Sequence, residues 1–336
     1  MFPFLEVNVR KFIVAASIVL AASGTTGALA QQAAPAAAAP PPSPNTFTAN
    51  ATLVSDYRFR GISQTFKLPA IQGGFDWSHS SGWYAGTWGS NISGNEYPNG
   101  ASLEWDLYGG WKGEVAKDLT LDLGTLYYYY PGAYAPAFAN GNIVPPQNTQ
   151  KLNNWEIYGA LSYKWFSAKL SYSLTDYFGL NNTLITGYSN PAIPAGRALC
   201  GIDSSGNVAT TNCYTSMPGN SKGTTYLDLN GNWPIAEGWN LLAHFGHTAV
   251  KNWTQQSYSD IKLGLTKDLG SGWSFGASLI TTNAKAEWYR ATTLNANAFA
   301  PGINVPGTQV AGAGNPSQSI KSLGNGTIVL SIGRTF

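Results

Sequence analysis

Charge is scarce in this chain: Asp, Glu, Lys and Arg make up 11% of its 336 residues, against about 25% in ordinary globular domains. A soluble fold of this size needs more charge to clothe its surface, so much of the surface is expected to meet something other than water. The formal net charge is +2, which leaves no basic footprint for nucleic acid. Long apolar runs are missing too. The N-terminal run from Phe12 to Ala22 falls short of the roughly 20 residues that a membrane-spanning helix needs. No later stretch approaches that length, and mean hydropathy is slightly below zero, which argues against a helical membrane protein. Cysteine and histidine are rare, at 2 and 3 residues.

What is present starts with a targeting signature. Arg10 and Lys11 precede the apolar run, and Ala28-Leu29-Ala30 supplies the small-x-small pattern of a signal-peptidase site. Residues 1–30 are therefore expected to be a cleaved signal peptide, with the mature chain starting at Gln31. No Cys adjoins that site, so lipidation there is excluded. Residues 31–46 are Ala/Pro-rich without apolar periodicity and read as a periplasmic linker.

From residue 47 to 336 the apolar period is two. Phe47, Ala49, Ala51, Leu53, Tyr57 and Phe59 alternate with Thr48, Asn50, Thr52, Asp56, Arg58 and Arg60. The same alternation returns at Leu103, Trp105, Leu107 and Trp111 against Ser102, Glu104, Asp106 and Lys112, and again from Leu119 to Tyr129. One face wants lipid and the other wants water. Further runs are 70–79, 83–92, 155–164, 168–178, 224–233, 239–248, 258–267, 273–282 and 326–336. The outward face of 83–92 is not evident from its pattern. Only helices and closed barrels satisfy their backbone hydrogen bonds inside a bilayer, so the expected fold is all-β: a transmembrane antiparallel up-and-down barrel of twelve strands. The even number suits a bacterial barrel with both termini in the periplasm.

Connection lengths give an independent test. Outer-membrane barrels have short periplasmic turns and longer extracellular loops. Every second connection is short: Ser80–Gly82, Glu114–Asp118, Trp165–Phe166, Pro234–Gly238 and Asp268–Gly272. The outward set includes the long segments 131–153, 179–222 and 283–325. A soluble β-sandwich, the alternative for an all-β chain, does not explain that sorting. Aromatics such as Trp83, Trp111, Tyr127, Trp155, Trp165, Trp233, Trp239 and Trp273 cluster at strand ends and read as two interfacial girdles in contact with outer-membrane lipid. The terminal Phe336, on a face with Ile332, Leu330 and Ile328, is the kind of signal barrel assembly machinery recognises; Arg334 interrupts that face and can snorkel to the interface.

Three blocks at the start of the barrel are more specific. Leu53-Val54-Ser55-Asp56-Tyr57-Arg58-Phe59-Arg60-Gly61-Ile62-Ser63-Gln64-Thr65, then Pro69 to Asp76, then Gly82 to Asn91, resemble the TorF porin family. The resemblance implies an outer-membrane barrel with passive transport, and it brings no substrate and no catalytic residues.

By parity, Arg58, Arg60, Lys112, Lys164, Lys169 and Lys262 face the lumen with Asp56, Asp76, Glu104, Asp106, Asp122, Glu156, Asp228 and Asp260. Asp56, Arg58 and Arg60 form a charged column on one strand. Either these groups line a water-filled conduit, with weak cation preference from the excess of carboxylates, or they brace a closed barrel as a salt-bridge network. Cys200 and Cys213 stand alone in the longest outer loop and are expected to form a disulfide. A lipid hydrolase needs Ser, His and a polar partner on the lipid side near the outer leaflet. His79 and Ser81 sit at the wrong end for that, and His244 and His247 face opposite ways, so no catalytic residue, cofactor or metal is assigned. The expected function is an outer-membrane porin for small hydrophilic solutes or ions, alone or as an oligomer. A surface adhesin or receptor displaying its long loops is the alternative.

Overall fold

The computed structural model describes residues 43–94, 102–135, 138–139, 142–143, 150–181, 200–201, 203–205, 209–216, 218–292 and 319–336. The signal peptide and most of the linker lie outside these residues.

Twelve strands form one closed barrel in which every neighbour is antiparallel. In chain order they are β1 (Asn45–Val54), β2 (Ala70–His79), β3 (Trp83–Asn91), β4 (Leu103–Ala116), β5 (Leu119–Tyr129) and β6 (Asn154–Tyr163). The second half continues with β7 (Phe166–Ser173), β8 (Thr225–Ala236), β9 (Trp239–Ala249), β10 (Tyr258–Gly270), β11 (Trp273–Thr282) and β12 (Thr327–Thr335). Consecutive strands pair throughout, and β1 closes the ring against β12 from Asn50↔Thr335 to Val54↔Ser331. The terminal Phe336 extends that seam, donating its N–H to the Ala49 carbonyl over 2.8 Å.

The two-residue period is what builds this object. Successive side chains point to opposite faces of a strand, and the apolar set of every strand lands outside. Leu53, Ile71, Phe75, Leu107, Leu123, Ile157, Leu170, Phe245, Leu263, Leu279 and Leu330 are all exposed. A continuous apolar surface this large is stable only against hydrocarbon, so the barrel is transmembrane. Tryptophan tips are satisfied locally: Trp77 Nε1 donates to Asn45 Oδ1 over 2.8 Å, Trp111 Nε1 to the Ser81 carbonyl over 3.0 Å, and Trp155 Nε1 to Thr125 Oγ1 over 2.6 Å. Arg334 holds its guanidinium 4.8 Å from the Phe336 ring centroid and 5.5 Å from that of Trp273.

One end of the barrel carries only tight turns, between β2 and β3, β4 and β5, β6 and β7, β8 and β9, and β10 and β11. Three of these hairpins tighten through a register shift, at Glu114/Ala116, Pro234/Ala236 and Asp268/Gly270. Strand pairing therefore runs past the boundaries expected from sequence, because a bulge lets the ladder continue where the apolar alternation lapses. The other end carries the long connections. The face of β3 left open by its sequence is now fixed: Tyr84, Trp88 and Ser90 point inward, paired in register with Gly110, Asp106 and Glu104.

The largest departure lies directly after β1. The alternation through Phe59 and Arg60 suggested one long strand, whereas β1 stops at Val54 and residues 55–69 turn into the lumen. Within them, Arg58↔Ser63 and Phe59↔Ile62 make a miniature hairpin. Its two turn residues, Arg60 and Gly61, have φ of 47° and 78°, the geometry of a type I′ turn. Asp56, Arg58 and Arg60 thus do not form a column on the wall.

Candidate functional site

The lumen divides into two halves. Toward the long-loop end, the inward side chains Ser90, Glu104, Asp106, Tyr128, Asn154, Glu156, Ser171, Tyr226, Thr248, Tyr258 and Asp260 are all buried. What buries them is the 55–69 hairpin together with the Tyr177–Gly179 turn, whose Phe178 packs on Tyr128; the hairpin's own Asp56, Tyr57, Ile62, Ser63, Thr65 and Phe66 are buried as well.

The hairpin touches wall after wall. Tyr57 packs edge-on against Trp88 of β3 at 5.4 Å and donates its hydroxyl to Glu104 Oε1 of β4 over 2.7 Å. Phe59 packs against Tyr128 of β5 at 5.4 Å and against Phe178 at 5.5 Å. Arg60 crosses the lumen from its root between β1 and β2 to the opposite side. There its Nη2 donates to both oxygens of Glu156 on β6, at 2.9 and 2.8 Å, and its guanidinium lies 4.1 Å from the Tyr226 ring centroid on β8. Its other terminal nitrogen, Nη1, donates to the Tyr177 hydroxyl over 3.2 Å, so the planar guanidinium serves two partners and a ring face at once, which suits arginine better than lysine. Gly61 rests on β10 and β11 so closely that a Cβ there falls 2.7 Å from Asp260 Cβ and 2.5 Å from Thr282 Cγ2. At its base, Arg58 pairs with Asp56 over 2.6 Å and donates to the Leu323 carbonyl over 2.6 Å.

A left-handed backbone at Arg60 is uphill for a residue with a side chain, by roughly 1–2 kcal/mol. Asn, Asp or Gly is the ordinary occupant of that turn position. The arginine is held there by its buried pair with Glu156, side chains 5% and 3% exposed.

The long loops add a lid. Cys200 and Cys213 form a disulfide with Cα atoms 4.3 Å apart. Nearby, Trp253 is fully buried, donates its indole N–H to the Gly219 carbonyl over 3.0 Å and packs with Tyr214, which in turn meets Trp288. Burial pushes the Tyr214 phenol up to about 12.

The short-turn half is different. Asp76, Tyr84, Tyr108, Lys112, Thr120, Tyr158, Ser162, Lys169, Asn230, His244, Lys262 and Ser278 line it and keep partial exposure. Its carboxylates are engaged: Tyr108 donates to Asp76 over 2.5 Å, Tyr84 to Asp122 over 2.6 Å, and Asn230 to Asp228 over 2.6 Å. His244 lies between Asp228 at 3.1 Å and Asp260 at 2.7 Å.

Of the residues expected to face the lumen, Asp76, Glu104, Asp106, Lys112, Asp122, Glu156, Lys169, Asp228, Asp260 and Lys262 do so from strands. Arg58 and Arg60 occupy the hairpin instead. Lys164 sits in a turn at the rim, Nζ 5.1 Å from the Tyr163 ring centroid. Four of the carboxylates behind the expected cation preference, Asp56, Glu104, Asp106 and Glu156, are shut beneath the hairpin. Sequence reasoning missed the tyrosines that cap the carboxylates and missed the hairpin. The signal for the latter was Arg60-Gly61 between Phe59 and Ile62, a two-residue turn lacking the usual Asn-Gly. On the lipid face His247 Nδ1 lies 2.9 Å from Ser259 Oγ. Asn283 Oδ1 accepts from the Ser259 backbone N–H and not from the imidazole, so among the described residues no group orients that pair as a triad needs.

A closed barrel with an apolar belt, aromatic girdles and a charged lumen defines a β-barrel membrane protein. The chain belongs to the Gcw_chp family, bacterial proteins of unknown function, which its residues 38–303 match; with that belt, a bacterial barrel is an outer-membrane protein. No curated protein matches the sequence. Among solved structures, a KdgM porin overlaps at 6% identity and TM-score 0.41, covering 86% of this chain and 99% of that one. A NanC porin overlaps at 9% identity and 0.40, covering 87% and 99%. OprD from Pseudomonas aeruginosa gives 10% and 0.31, covering 87% of this chain and 66% of that one. With TM-scores this low, the overlaps bear on neither solute nor pore.

Proposed function

We propose that this protein is an outer-membrane porin for small hydrophilic solutes or ions, held shut in the form described by the 55–69 hairpin. The long loops then lie outside the cell and the tight turns in the periplasm, as in other outer-membrane barrels. The observation that carries the reading is the division of the lumen. Polar side chains line the barrel along its whole length, and its closure in the outer half rests on the 55–69 hairpin and the 177–179 turn packed against it, neither tied to the wall except through its own chain ends. The TorF resemblance falls on that same segment and on β2 and β3, which supports the same reading.

Planar-bilayer recordings test it. Replacing residues 57–66 with a short Gly-Ser link removes the obstruction, so single-channel conductance is expected to rise several-fold over the full chain. Absence of conductance in both forms, with the variant still giving a heat-modifiable folded band, removes the porin assignment and leaves the loop-displaying receptor.

A further inference from the structure

We infer that the periplasm-facing half of the lumen is a binding site for a small oxyanion, a carboxylate or phosphate, with Lys169 and Lys262 as its principal ligands. This rests on the porin reading for the use of the site, though not for its existence.

The charges in this half are unevenly committed. Each carboxylate already accepts a hydrogen bond from a neighbouring side chain: Asp76 from Tyr108, Asp122 from Tyr84, Asp228 from Asn230 and His244. The lysines are not matched in this way. Among the described residues, neither Lys169 nor Lys262 has a carboxylate oxygen within 4.0 Å. Lys169 instead holds its Nζ 4.1 Å from the Tyr158 ring centroid, an arrangement that orients the ammonium and leaves its three N–H donors unspent.

Register places the two lysines around one stretch of wall. Lys169 on β7 stands directly opposite Asp228 on β8, and Lys262 on β10 stands directly opposite His244 on β9. His244 in turn pairs in register with Asn230. Cationic side chains therefore flank a segment whose two carboxylates, Asp228 and Asp260, are both engaged by His244. Half-buried ammonium groups need acceptors. Water supplies some, but a doubly charged oxyanion supplies acceptors and charge together, and charge-assisted bonds are about twice as strong as neutral ones. A divalent cation is the poorer occupant, since no cluster of three His, Cys, Asp or Glu with metal-ligand geometry occurs among the described residues. The hairpin closes the outer side, so the ligand arrives from the periplasm.

The test titrates full-length protein in nanodiscs with inorganic phosphate in one arm and succinate in the other, at low salt. Saturable binding of at least one is expected, weakened ~10-fold in Lys169→Gln and again in Lys262→Gln, the fold-change that follows from losing one charge-assisted bond. Lys251→Gln, exposed at the long-loop end and outside this lining, is expected to leave affinity unchanged. No binding of either anion, or equal binding by the Lys169→Gln/Lys262→Gln double variant with an intact folded band, overturns the inference. Anion binding without conductance in the hairpin-shortened chain overturns the porin reading and leaves the site; conductance without anion binding does the reverse.

Discussion

The two halves of the lumen are made by the same twelve strands with the same alternation, yet they are opposite in physical character. In the outer half, Arg60 and Glu156 are nearly inaccessible and form a two-pronged ion pair. In the periplasmic half, carboxylates lean on tyrosine hydroxyls and lysines stay without ion-pair partners. The difference comes from inserted chain, the fifteen residues 55–69 with the 177–179 turn packed against them, not from the wall. A barrel strand cannot by itself say whether its polar face meets water or protein.

That contrast can be broken most severely at Gly61. Its φ of 78° and the 2.7 Å approach of a built Cβ to Asp260 Cβ leave no room for a side chain. Gly61→Val is expected to unseat the hairpin tip and give open-channel conductance close to that of the hairpin-shortened chain, while the barrel keeps its folded band. A closed, silent Gly61→Val barrel would show that the hairpin is not what blocks flow.

A smaller effect is expected from the latch. Arg60→Asn keeps a residue that tolerates the left-handed turn and strands Glu156, and breaking a buried pair costs roughly 3–5 kcal/mol. Thermal melting followed by the heat-modified band is expected to fall accordingly. Adding Glu156→Gln to that variant should restore much of the loss, since the partners are coupled and their effects are not additive. Equal, additive losses would mean that the two side chains do not act as a pair.

The smallest effect is expected at Asp106. Its Oδ1 is buried with no hydrogen-bond partner, so Asp106→Asn removes a carboxylate that the outer half accommodates poorly. Stability should stay the same or rise by about 1 kcal/mol, against the clear loss at Glu156. A drop as large as that of Arg60→Asn would place Asp106 inside the latch and blur the division between its neighbours.

Much of this was legible beforehand. The alternation of apolar and polar residues, at Leu103, Trp105 and Leu107 against Glu104 and Asp106, settles which side chains face lipid, because the two-residue repeat of a strand leaves no other arrangement. The short connections settle which strands form hairpins, because a link of two to five residues joins only antiparallel neighbours. Both signals are local, so the twelve strands and their order followed from sequence alone. The hairpin carries no mark of its own in the sequence, because Phe59 and Arg60 continue the alternation of β1. A period of two is equally good on a wall and on a small hairpin inside it, and Arg60-Gly61 lacks the Asn that marks such turns.

What only the tertiary structure decided is where each lumen charge finds its partner. Arg60 meets Glu156 across 96 residues of sequence, and Tyr57 reaches Glu104 across 47. Neither pairing has a local signature, since both depend on how far the inserted chain reaches across a ring whose opposite walls are six strands apart. The sequence determined the barrel and the sidedness of its strands through local periodicity. Closure of its outer half, and the free lysines left in the inner one, depend on packing between segments remote in the chain, where burial and hydrogen-bond geometry select one partner for each charge.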